Sequence, residues 1–532
     1  FKSIMKRNIY LLLLISLILF VSVVYAKEST VEESQIAEDN LDFYKYPDVF
    51  YPSAEELAEQ GLTLDSYIQL LKDTAPKNRN SSVSNIWGTA PLSGTIRIPV
   101  LLVQFSDRTS TLTQAQVNEK FNSSNYLNGA GVSVSKYYYK QSYGNLNIVF
   151  DVWGWQQAPN AYTYYTLNES RKQQLIPDTI NLFNPSVNFA QYDNDNDGRL
   201  DGVVILYAGN QGSIGLFTKI LRESTVYSVD GKYYGNTALV SEKYQSNFNY
   251  TELISHEFAH ILGLPDIYSN HPAGPSSSNY GPMYGISMMA TSNNNSCSTN
   301  KPLNLDGWSR YFFGWINPIT LTTDSSKEIN LRSVNDYPDA VILRNSNMGA
   351  REFFFVENRY RNLSDTTNLD NCLFGDGSTA TSGFAIYHVD ENKIEAHYPN
   401  NWINWDPDGN YYNDTTWPGI TFEENYVAAF ITPPNHTITD LYYYDSSQPG
   451  IKENFDENPY TGVGAIWDRT TKTYTDNSNP LIRFKSISPS YQSTMTAKML
   501  VGEETATPTT TLYSGTYPQT TQVTLSTATP NA

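Results

Sequence analysis

Cysteine is nearly absent from this 532-residue chain, which contains only Cys297 and Cys372. Two cysteines form one disulfide at most, so they exclude a disulfide-built scaffold and a zinc finger with cysteine ligands. In an exported protein the two could be bonded, but their separation along the chain does not give the distance between their side chains. The sequence therefore leaves open whether they form a bond.

Charge is scarce as well, and basic charge especially so. Lysine and arginine together number 35 against 54 aspartate and glutamate residues, the formal net charge is −19, and only 17% of residues are charged. Nucleic acids and anionic membrane surfaces attract clustered lysine and arginine, so neither is expected as a partner. Hydrophobic residues make up 40% of the chain, which suffices for packed cores and excludes a wholly disordered protein.

Long apolar runs are confined to the N-terminal end. Lys2, Lys6 and Arg7 precede a mostly apolar, uncharged stretch at 9–24, which Ala26 closely follows. This pattern is typical of a secretory signal peptide, and we expect cleavage after Ala26, so that the signal peptide spans 1–26. A signal anchor is the alternative, but a membrane-spanning helix needs ~20 apolar residues. We therefore expect a secreted, extracellular protein with no stable membrane span after signal cleavage.

The rest of the chain divides into segments of different composition. Residues 27–90 are polar and acidic, and we expect either a propeptide or a plain N-terminal extension. Strand and helix patterns alternate through 91–318, which predicts an α/β (α+β) domain. Short apolar runs separated by turn residues predict a β-rich lobe at 319–502. A Thr/Pro linker at 503–511 precedes 512–532, the start of a β-sandwich-like module that is too short to bury a core and so suggests truncation.

Local patterns predict individual elements within these segments. Ser53 and Glu56 have the spacing of a capping box, and Pro177 is expected to break a helix at 170–183 or to start a second one. The other expected elements are helices at 64–71 and 134–141, and strands at 96–105, 146–155, 203–207, 353–356, 384–389 and 427–431.

The strongest chemical signal is the motif His-Glu-Phe-Ala-His, which begins at His256 and ends at His260. Histidines at i and i+4 share one face of a helix, so both imidazoles can reach a single ion. Glu257 can take a proton from water bound to that ion. Gly263 lets the helix end in a left-handed turn, and the chain then bends back so that Asp266 can supply a third ligand. Three protein ligands and one water form the open site expected of catalytic zinc.

Chance does not explain this motif well. With 6 histidines and 54 acidic residues in the chain, roughly 0.007 occurrences of His-Glu-x-x-His are expected by composition alone. The third ligand has more than one candidate, because His271 is a rival to Asp266. A distal glutamate is the choice in a different zinc-protease architecture.

A second cluster of oxygen ligands lies before the strand predicted at 203–207. Asp193, Asp195, Asp197 and Asp201 alternate with other residues, and Gly198 occupies the sixth position. Acidic side chains at this spacing suit a flexible oxygen cage for Ca²⁺. The twelfth position holds valine instead of glutamate, so this is not a complete EF-hand loop. The alternative is an Asx-rich turn without an ion.

These motifs resemble the immune inhibitor A family of secreted metallopeptidases, which is similar to the metzincins but has aspartate as the third zinc ligand. The similarity spans roughly 95–440. Besides the zinc motif, stretches similar to that family occur in the same order at 100–107, 135–138, 142–144, 193–209, 308–310, 314–316, 355–359 and 386–390.

The resemblance implies a zincin-like catalytic domain made as a zymogen, with His256, His260 and Asp266 as zinc ligands and Glu257 as general base. It also implies a methionine turn beneath the zinc, and Met289 fits that pattern slightly better than the methionine before it. The segment expected as propeptide contains no cysteine, so a thiolate cannot be what blocks the zinc before activation.

We therefore expect a zinc metalloendopeptidase that hydrolyses protein or peptide substrates with a zinc-activated water. The alternative is an exported carbohydrate- or surface-binding protein with a vestigial metallopeptidase domain. The Thr/Pro linker and the C-terminal module suit attachment to a polysaccharide or a cell surface. The intact set His256, Glu257, His260 and Asp266 favours the enzyme.

Overall fold

The structure is a computed structural model that describes most of the chain between residues 49 and 401. The described ranges are 49–76, 80–124, 131–210, 212–244, 247–248, 251–267, 286–290, 302–346, 348–373, 382–401, 420–422, 455–456, 467–468, 473–474, 482–485, 488, 492–502, 509–510 and 525–526. The signal peptide predicted at 1–26, the strand predicted at 427–431, His271, Cys297 and the side chain of Cys372 lie outside this description. Within it, no helix is both long and apolar enough to cross a bilayer.

Helices and strands alternate along the first part of the chain, and strands dominate after residue 318. The helices are α1 (Ala54–Ala58), α2 (Leu64–Thr74), α3 (Gln114–Asn122), α4 (Val134–Gln141), α5 (Tyr162–Tyr165), α6 (Glu169–Phe183), α7 (Thr251–Leu262), α8 (Gly307–Phe312) and α9 (Glu391–His397). The strands are β1 (Val49–Phe50), β2 (Gly94–Gln104), β3 (Leu146–Gln157), β4 (Val203–Asn210), β5 (Phe217–Lys219), β6 (Ser228–Val229), β7 (Lys232–Tyr233), β8 (Thr237–Tyr244), β9 (Asn247–Phe248), β10 (Ile319–Thr322), β11 (Ser325–Arg332), β12 (Val341–Arg344), β13 (Glu352–Arg359), β14 (Gly383–Asp390), β15 (Ile420–Phe422), β16 (Phe455–Asp456), β17 (Trp467–Asp468), β18 (Thr473–Tyr474), β19 (Ile482–Lys485), β20 (Thr494–Val501), β21 (Thr509–Thr510) and β22 (Leu525–Ser526). The fold is therefore of the mixed α/β kind that the sequence predicts.

The first sheet has the strand order β1-β5-β8-β4-β2-β3, with β9 paired to β8. Strands β8, β4, β2 and β3 run parallel, whereas β5 is antiparallel to β8. Central parallel strands are buried on both faces, so β2 and β4 read as continuous apolar runs. Pro99 precedes Val100, the first residue of β2 that pairs with β4, so its missing N–H interrupts no part of that ladder.

Side chains of β2 alternate between two cores on opposite faces of this sheet. Leu102 packs in one core with Phe258 of α7, and Leu101 packs in the other with Ile180 of α6. Helix α7 is buried along almost its whole length, because it packs against β5 and β8 of the sheet, against α4 and against the 3-10 helix Met288–Ala290. This position fixes the helix that carries the histidine motif.

The second lobe contains two further sheets that pack together. One has the order β10-β12-β13-β14-β15 and the other β11-β20-β19-β16. Phe353 and Phe355 of β13 join the core around α7, whereas Phe354 and Val356 face a third core between the two sheets. Strand β13 thus has one face in the core that includes α7 and the other in the core of the second lobe. The described elements between residues 319 and 502 are mostly strands.

Most local predictions within the described residues are confirmed, but one is wrong. Pro177 does not break α6, which runs through it from Glu169 to Phe183. The ring of Pro177 lies on the buried face of the helix, so its burial offsets the hydrogen bond that a proline cannot donate. Near the end of the linker predicted at 503–511, Thr509–Thr510 pair with Leu525–Ser526 of the segment that follows.

The segment expected as propeptide or extension belongs to the fold from residue 49 onward. Strand β1 pairs in parallel with β5, and the capping box predicted at Ser53 and Glu56 starts α1. Thr89 donates its backbone N–H to the carbonyl of Ile261 in the metal-motif helix, at 3.2 Å. These contacts tie the described part of 27–90 directly to the core.

Candidate metal centre

Helix α7 ends in a sharp reversal that depends on one glycine. Gly263 has φ +107°, a backbone conformation that side chains strongly disfavour. The N–H groups of Gly263 and Leu264 both donate to the carbonyl of Ala259, at 2.9 Å each. A Cβ at position 263 would meet the side-chain oxygen of Asn85 at 1.9 Å. The chain therefore turns back at this point, as the sequence predicts.

The reversal brings three side chains together at the helix end. His256, His260 and Asp266 each offer a ligand atom, and these atoms lie within 4.8 Å of one another. Asp266 Oδ1 is 2.9 Å from His256 Nε2 and 3.6 Å from His260 Nε2. All three residues are buried. A buried His-His-Asp group of this kind could hold a metal ion.

The Nδ1 atom of each histidine faces a backbone carbonyl. His260 Nδ1 lies 2.6 Å from the carbonyl of Leu264, and His256 Nδ1 faces the carbonyl of Met288 at 3.4 Å. A carbonyl can only accept, so each contact is a hydrogen bond when the ring carries its proton on Nδ1, and Nε2 then has a lone pair available for a cation. Such outer partners fix the tautomer and the orientation of metal-binding histidines.

Two buried atoms of the group lack any hydrogen bond within the described structure. They are His260 Nε2 and Asp266 Oδ1, and an unpartnered buried polar atom is costly. Burial lowers the pKa of His260 to about 4, so its ring is neutral at pH 7 and can donate a lone pair to a cation. A bound metal ion satisfies both atoms at once.

The donor set also fits the geometry of zinc. Tetrahedral zinc with bonds of ~2.0–2.2 Å places its ligand atoms roughly 3.3 Å apart. The two separations from Asp266 Oδ1, 2.9 and 3.6 Å, lie on either side of that value. Imidazole nitrogen and carboxylate oxygen are common zinc ligands, although other divalent transition metals accept them too.

Glu257 lies next to the first histidine and is held by a residue that the sequence did not reveal. Thr218 of β5 donates its hydroxyl to Glu257 Oε2 at 3.0 Å and also lies 2.9 Å from the Glu257 carbonyl. Both side chains are buried. A single threonine in a three-residue strand carries no recognisable sequence signal, so only the fold could identify it.

The segment predicted as a methionine turn lies against the helix and the bend. Met288 and Met289 are both wholly buried, in the 3-10 helix Met288–Ala290. The Met289 carbonyl accepts the backbone N–H of Ile267, at 3.0 Å. The turn thus touches the metal group through its backbone: one carbonyl faces His256, and the next binds the residue after Asp266.

A buried ion-pair network from the second lobe supports that turn. Arg359 of β13 donates to the carbonyl of Ile286 at 2.8 Å and pairs with Asp370 at 2.7 Å. Glu357, two residues earlier, contacts both Arg359 and Arg310. Burial raises the pKa of Glu357, and the two arginines act in the opposite direction. The sequence showed these stretches only as resemblances, without a role for any of their residues.

The aspartate cluster forms in part. Asp193, Asp195 and Asp197 have carboxylate oxygens within 4.8 Å of one another, but Asp201 is not part of this group. Instead, Asp201 Oδ2 accepts a hydrogen bond from the Asn194 side chain at 2.6 Å. The predicted four-aspartate cage is therefore reduced to three residues.

Features of the alternative, an Asx-rich turn, are also present in this loop. The backbone N–H groups of Asp197 and Gly198 donate to the two oxygens of Asp193, at 3.0 and 3.1 Å. Lys232 contacts the same carboxylate at 2.6 Å. Exposed acidic groups are common without an ion, so the geometry of this cluster is less distinctive than that of the buried group.

Comparison with known proteins adds no family assignment. No protein-family model matches the chain, and no curated protein shows significant similarity to it. We therefore infer function from the geometry and chemistry of the site.

Proposed function

We propose that this protein is a secreted zinc metalloendopeptidase, made as a zymogen, of the kind that its resemblance to the immune inhibitor A family implies. The observation that carries the proposal is the buried group of His256, His260 and Asp266, with unpartnered ligand atoms and with Glu257 beside it. Secretion rests on the signal peptide expected at 1–26. The packing of α7 on a mixed sheet, in which β5 runs antiparallel to β8, supports a zincin-like fold.

The chemistry follows from what each residue can do. When bound, zinc supplies a Lewis acid that polarises a peptide carbonyl and lowers the pKa of a bound water. Glu257 accepts the proton of the attacking water and passes it to the departing amine. The hydroxyl of Thr218 lies within hydrogen-bond distance of one oxygen of that carboxylate and so helps to orient it.

Calcium binding by the aspartate loop is a second, lesser proposal. Asp193, Asp195 and Asp197 are the candidate ligands, and Lys232 competes for the first of them. Ca²⁺ requires six to eight oxygen ligands, so backbone carbonyls or water must complete the cage. Its role is stabilisation of the loop before β4, without part in the chemistry.

The test of the main proposal is a Glu257→Ala variant beside the wild-type protein. We expect the variant to retain its metal, measured by elemental analysis, and to lose casein hydrolysis by several orders of magnitude, because it lacks the general base. Glu328→Ala, at an exposed position of β11, is the matched control and should keep full activity.

The same assay separates the enzyme from a binding protein with a vestigial site. Wild-type hydrolysis should stop with a chelator and return when zinc is added. Hydrolysis that persists in Glu257→Ala contradicts the assigned base. A wild-type protein that binds zinc but cleaves no peptide substrate supports the carbohydrate- or surface-binding alternative.

A further inference from the structure

A buried asparagine from the second lobe contacts the third ligand of the metal group. Asn401 follows α9 and the 3-10 helix Tyr398–Asn400, and only 1% of it is exposed. Its side-chain oxygen accepts the backbone N–H of Asp266 at 2.7 Å. Its side-chain nitrogen donates to Asp266 Oδ2. One asparagine thus binds both the main chain and the carboxylate of a residue 135 positions earlier.

These two bonds determine which way the carboxylate points. The bond to the N–H fixes the backbone of Asp266, and the bond to Oδ2 prevents rotation of the carboxylate plane. The remaining oxygen, Oδ1, then faces His256 and His260 at 2.9 and 3.6 Å. Oδ1 is the oxygen without a hydrogen bond, so Asn401 leaves one oxygen available for a cation.

Asn401 is itself fixed by its neighbours. It has φ +56°, a left-handed conformation that asparagine tolerates better than most residues. Three residues earlier, Tyr398 donates its hydroxyl to the carbonyl of Gly263, and its ring packs on Trp87 at 4.7 Å between centroids. Tyr398 and Asn401 therefore bind the bend after α7 at two points, Gly263 and Asp266.

We propose that Asn401 is a positioning residue for metal binding, which presents Oδ1 of Asp266 to the two imidazoles. The metal centre is then completed by the second lobe and is not a property of the helix and its bend alone. This inference rests on the proposed metal site and extends it to a residue outside the sequence motif. A residue that orients a metal ligand typically contributes 10–100-fold, as an order of magnitude, to metal affinity.

The test compares zinc affinity in three proteins: wild type, Asn401→Gly and a control. Glycine at 401 keeps the left-handed backbone free of strain and removes only the side chain. We expect the zinc dissociation constant to rise about 10–100-fold, measured by competition with a chromophoric chelator. The absorption spectrum of the Co²⁺-substituted variant should change as well, because Asp266 no longer holds its position.

The control is Asn335→Gly, which removes a comparable pair of hydrogen bonds at a position that does not contact the metal group. Asn335 is also buried, accepts the backbone N–H of Leu369 at 3.0 Å and donates to Asp336 at 2.9 Å. It bonds to none of the three ligands, so its loss should lower thermal stability without changing zinc affinity. An equal loss of affinity in both variants overturns the proposal, since Asn401 then has only a structural role.

Two further outcomes are informative. If Asn401→Gly does not fold, Asn401→Ser replaces it, because a serine hydroxyl is too short to bind both atoms of Asp266. Wild-type zinc affinity and an unchanged Co²⁺ spectrum in a folded variant overturn the inference. Failure of the wild-type protein to bind zinc overturns the proposed function instead, so the two failures are distinguishable.

Discussion

Asp201 is a buried acid outside the metal group. Its Oδ1 has no hydrogen bond within the described structure. Burial raises its pKa from 3.8 to about 8, and the charges of Asp195 and Asp193 act in the same direction. The folded protein therefore holds a proton here at pH 7 that the unfolded chain releases.

The sign of the resulting pH dependence follows from proton counting. Between about pH 4 and 8 the folded state binds more protons than the unfolded state, so the free energy of unfolding falls as the pH rises. One such proton gives a slope of at most ~1.4 kcal/mol per pH unit. With a chelator present, we expect Asp201→Asn to reduce this slope by the contribution of one proton and to be more stable than wild type at pH 8. Urea unfolding of both proteins at several pH values measures the slope and the difference in stability.

Two comparisons make that result specific. Calcium added at pH 8 should raise wild-type stability, because a cation beside the loop favours ionised aspartates. Asp339→Asn is a suitable control. Arg332 contacts the Asp339 carboxylate, and the pKa of that carboxylate is lowered because the hydrogen bonds it accepts outweigh the effect of burial. An unaltered slope in Asp201→Asn contradicts the assignment of the buried proton to Asp201.

Sequence reasoning found the site residues that lie close together along the chain. His256, His260 and Asp266 fall within one helix and its bend, where spacing translates directly into geometry. Thr218 and Asn401 lie far from them in sequence, and each is brought to the site by a strand or turn of another segment. No local pattern marks such residues, so the groups that orient the motif could not be predicted.

The same distinction holds for the structural elements. Helix α1 with its capping box, helix α2 with its apolar face, and the apolar strands β2 and β13 were predictable because their signals are local. Pro177 was misjudged because local chemistry disfavours proline inside a helix, whereas the buried position of its ring is a tertiary effect. Strand order was not predictable, since β1 and β5 meet only through the fold.

The bend after α7 is the element on which the metal group depends, and one substitution tests it. Gly263→Ala puts a Cβ 1.9 Å from Asn85 Oδ1 in a left-handed backbone, so Asn85 must release the carbonyl of Leu262, which it binds at 2.8 Å. We expect a loss of ~3 kcal/mol or more in the free energy of unfolding, together with weaker zinc binding. Chemical denaturation and the zinc competition assay measure the two effects.

Gly61→Ala serves as the matched control for that substitution. Gly61 has φ +71°, and a Cβ added there would meet nothing within 4 Å, so alanine at this position should cost only ~1–2 kcal/mol of backbone strain. The zinc affinity of this variant should be unchanged. If both variants lose the same stability, crowding against Asn85 contributes nothing and the bend tolerates a side chain.

At the scale of the whole molecule, residues 49–90 connect to the core in several places. Arg222 donates to the backbone carbonyls of Leu71, Thr74 and Ile86, at 3.1, 2.6 and 3.1 Å. Trp87 packs edge-on against the ring of His260, at 6.1 Å between centroids. A propeptide that leaves on activation is not expected to supply packing to a ligand of the metal or to pair with a strand of the central sheet.

This contrast gives a prediction about the mature protein. A chain that begins at residue 45 should fold and bind zinc, whereas one that begins at 91 should unfold at least ~6 °C lower. The loss of several buried hydrogen bonds costs ~3–5 kcal/mol, and each kcal/mol lowers the unfolding temperature of a large domain by ~2–4 °C. Differential scanning calorimetry measures the difference. Refolding the shorter chain with residues 27–90 added in trans, then removing them, distinguishes a folding aid from a lasting part of the structure. If the shorter chain keeps the full unfolding temperature after removal, the segment is dispensable and a propeptide spanning 27–90 is the better interpretation.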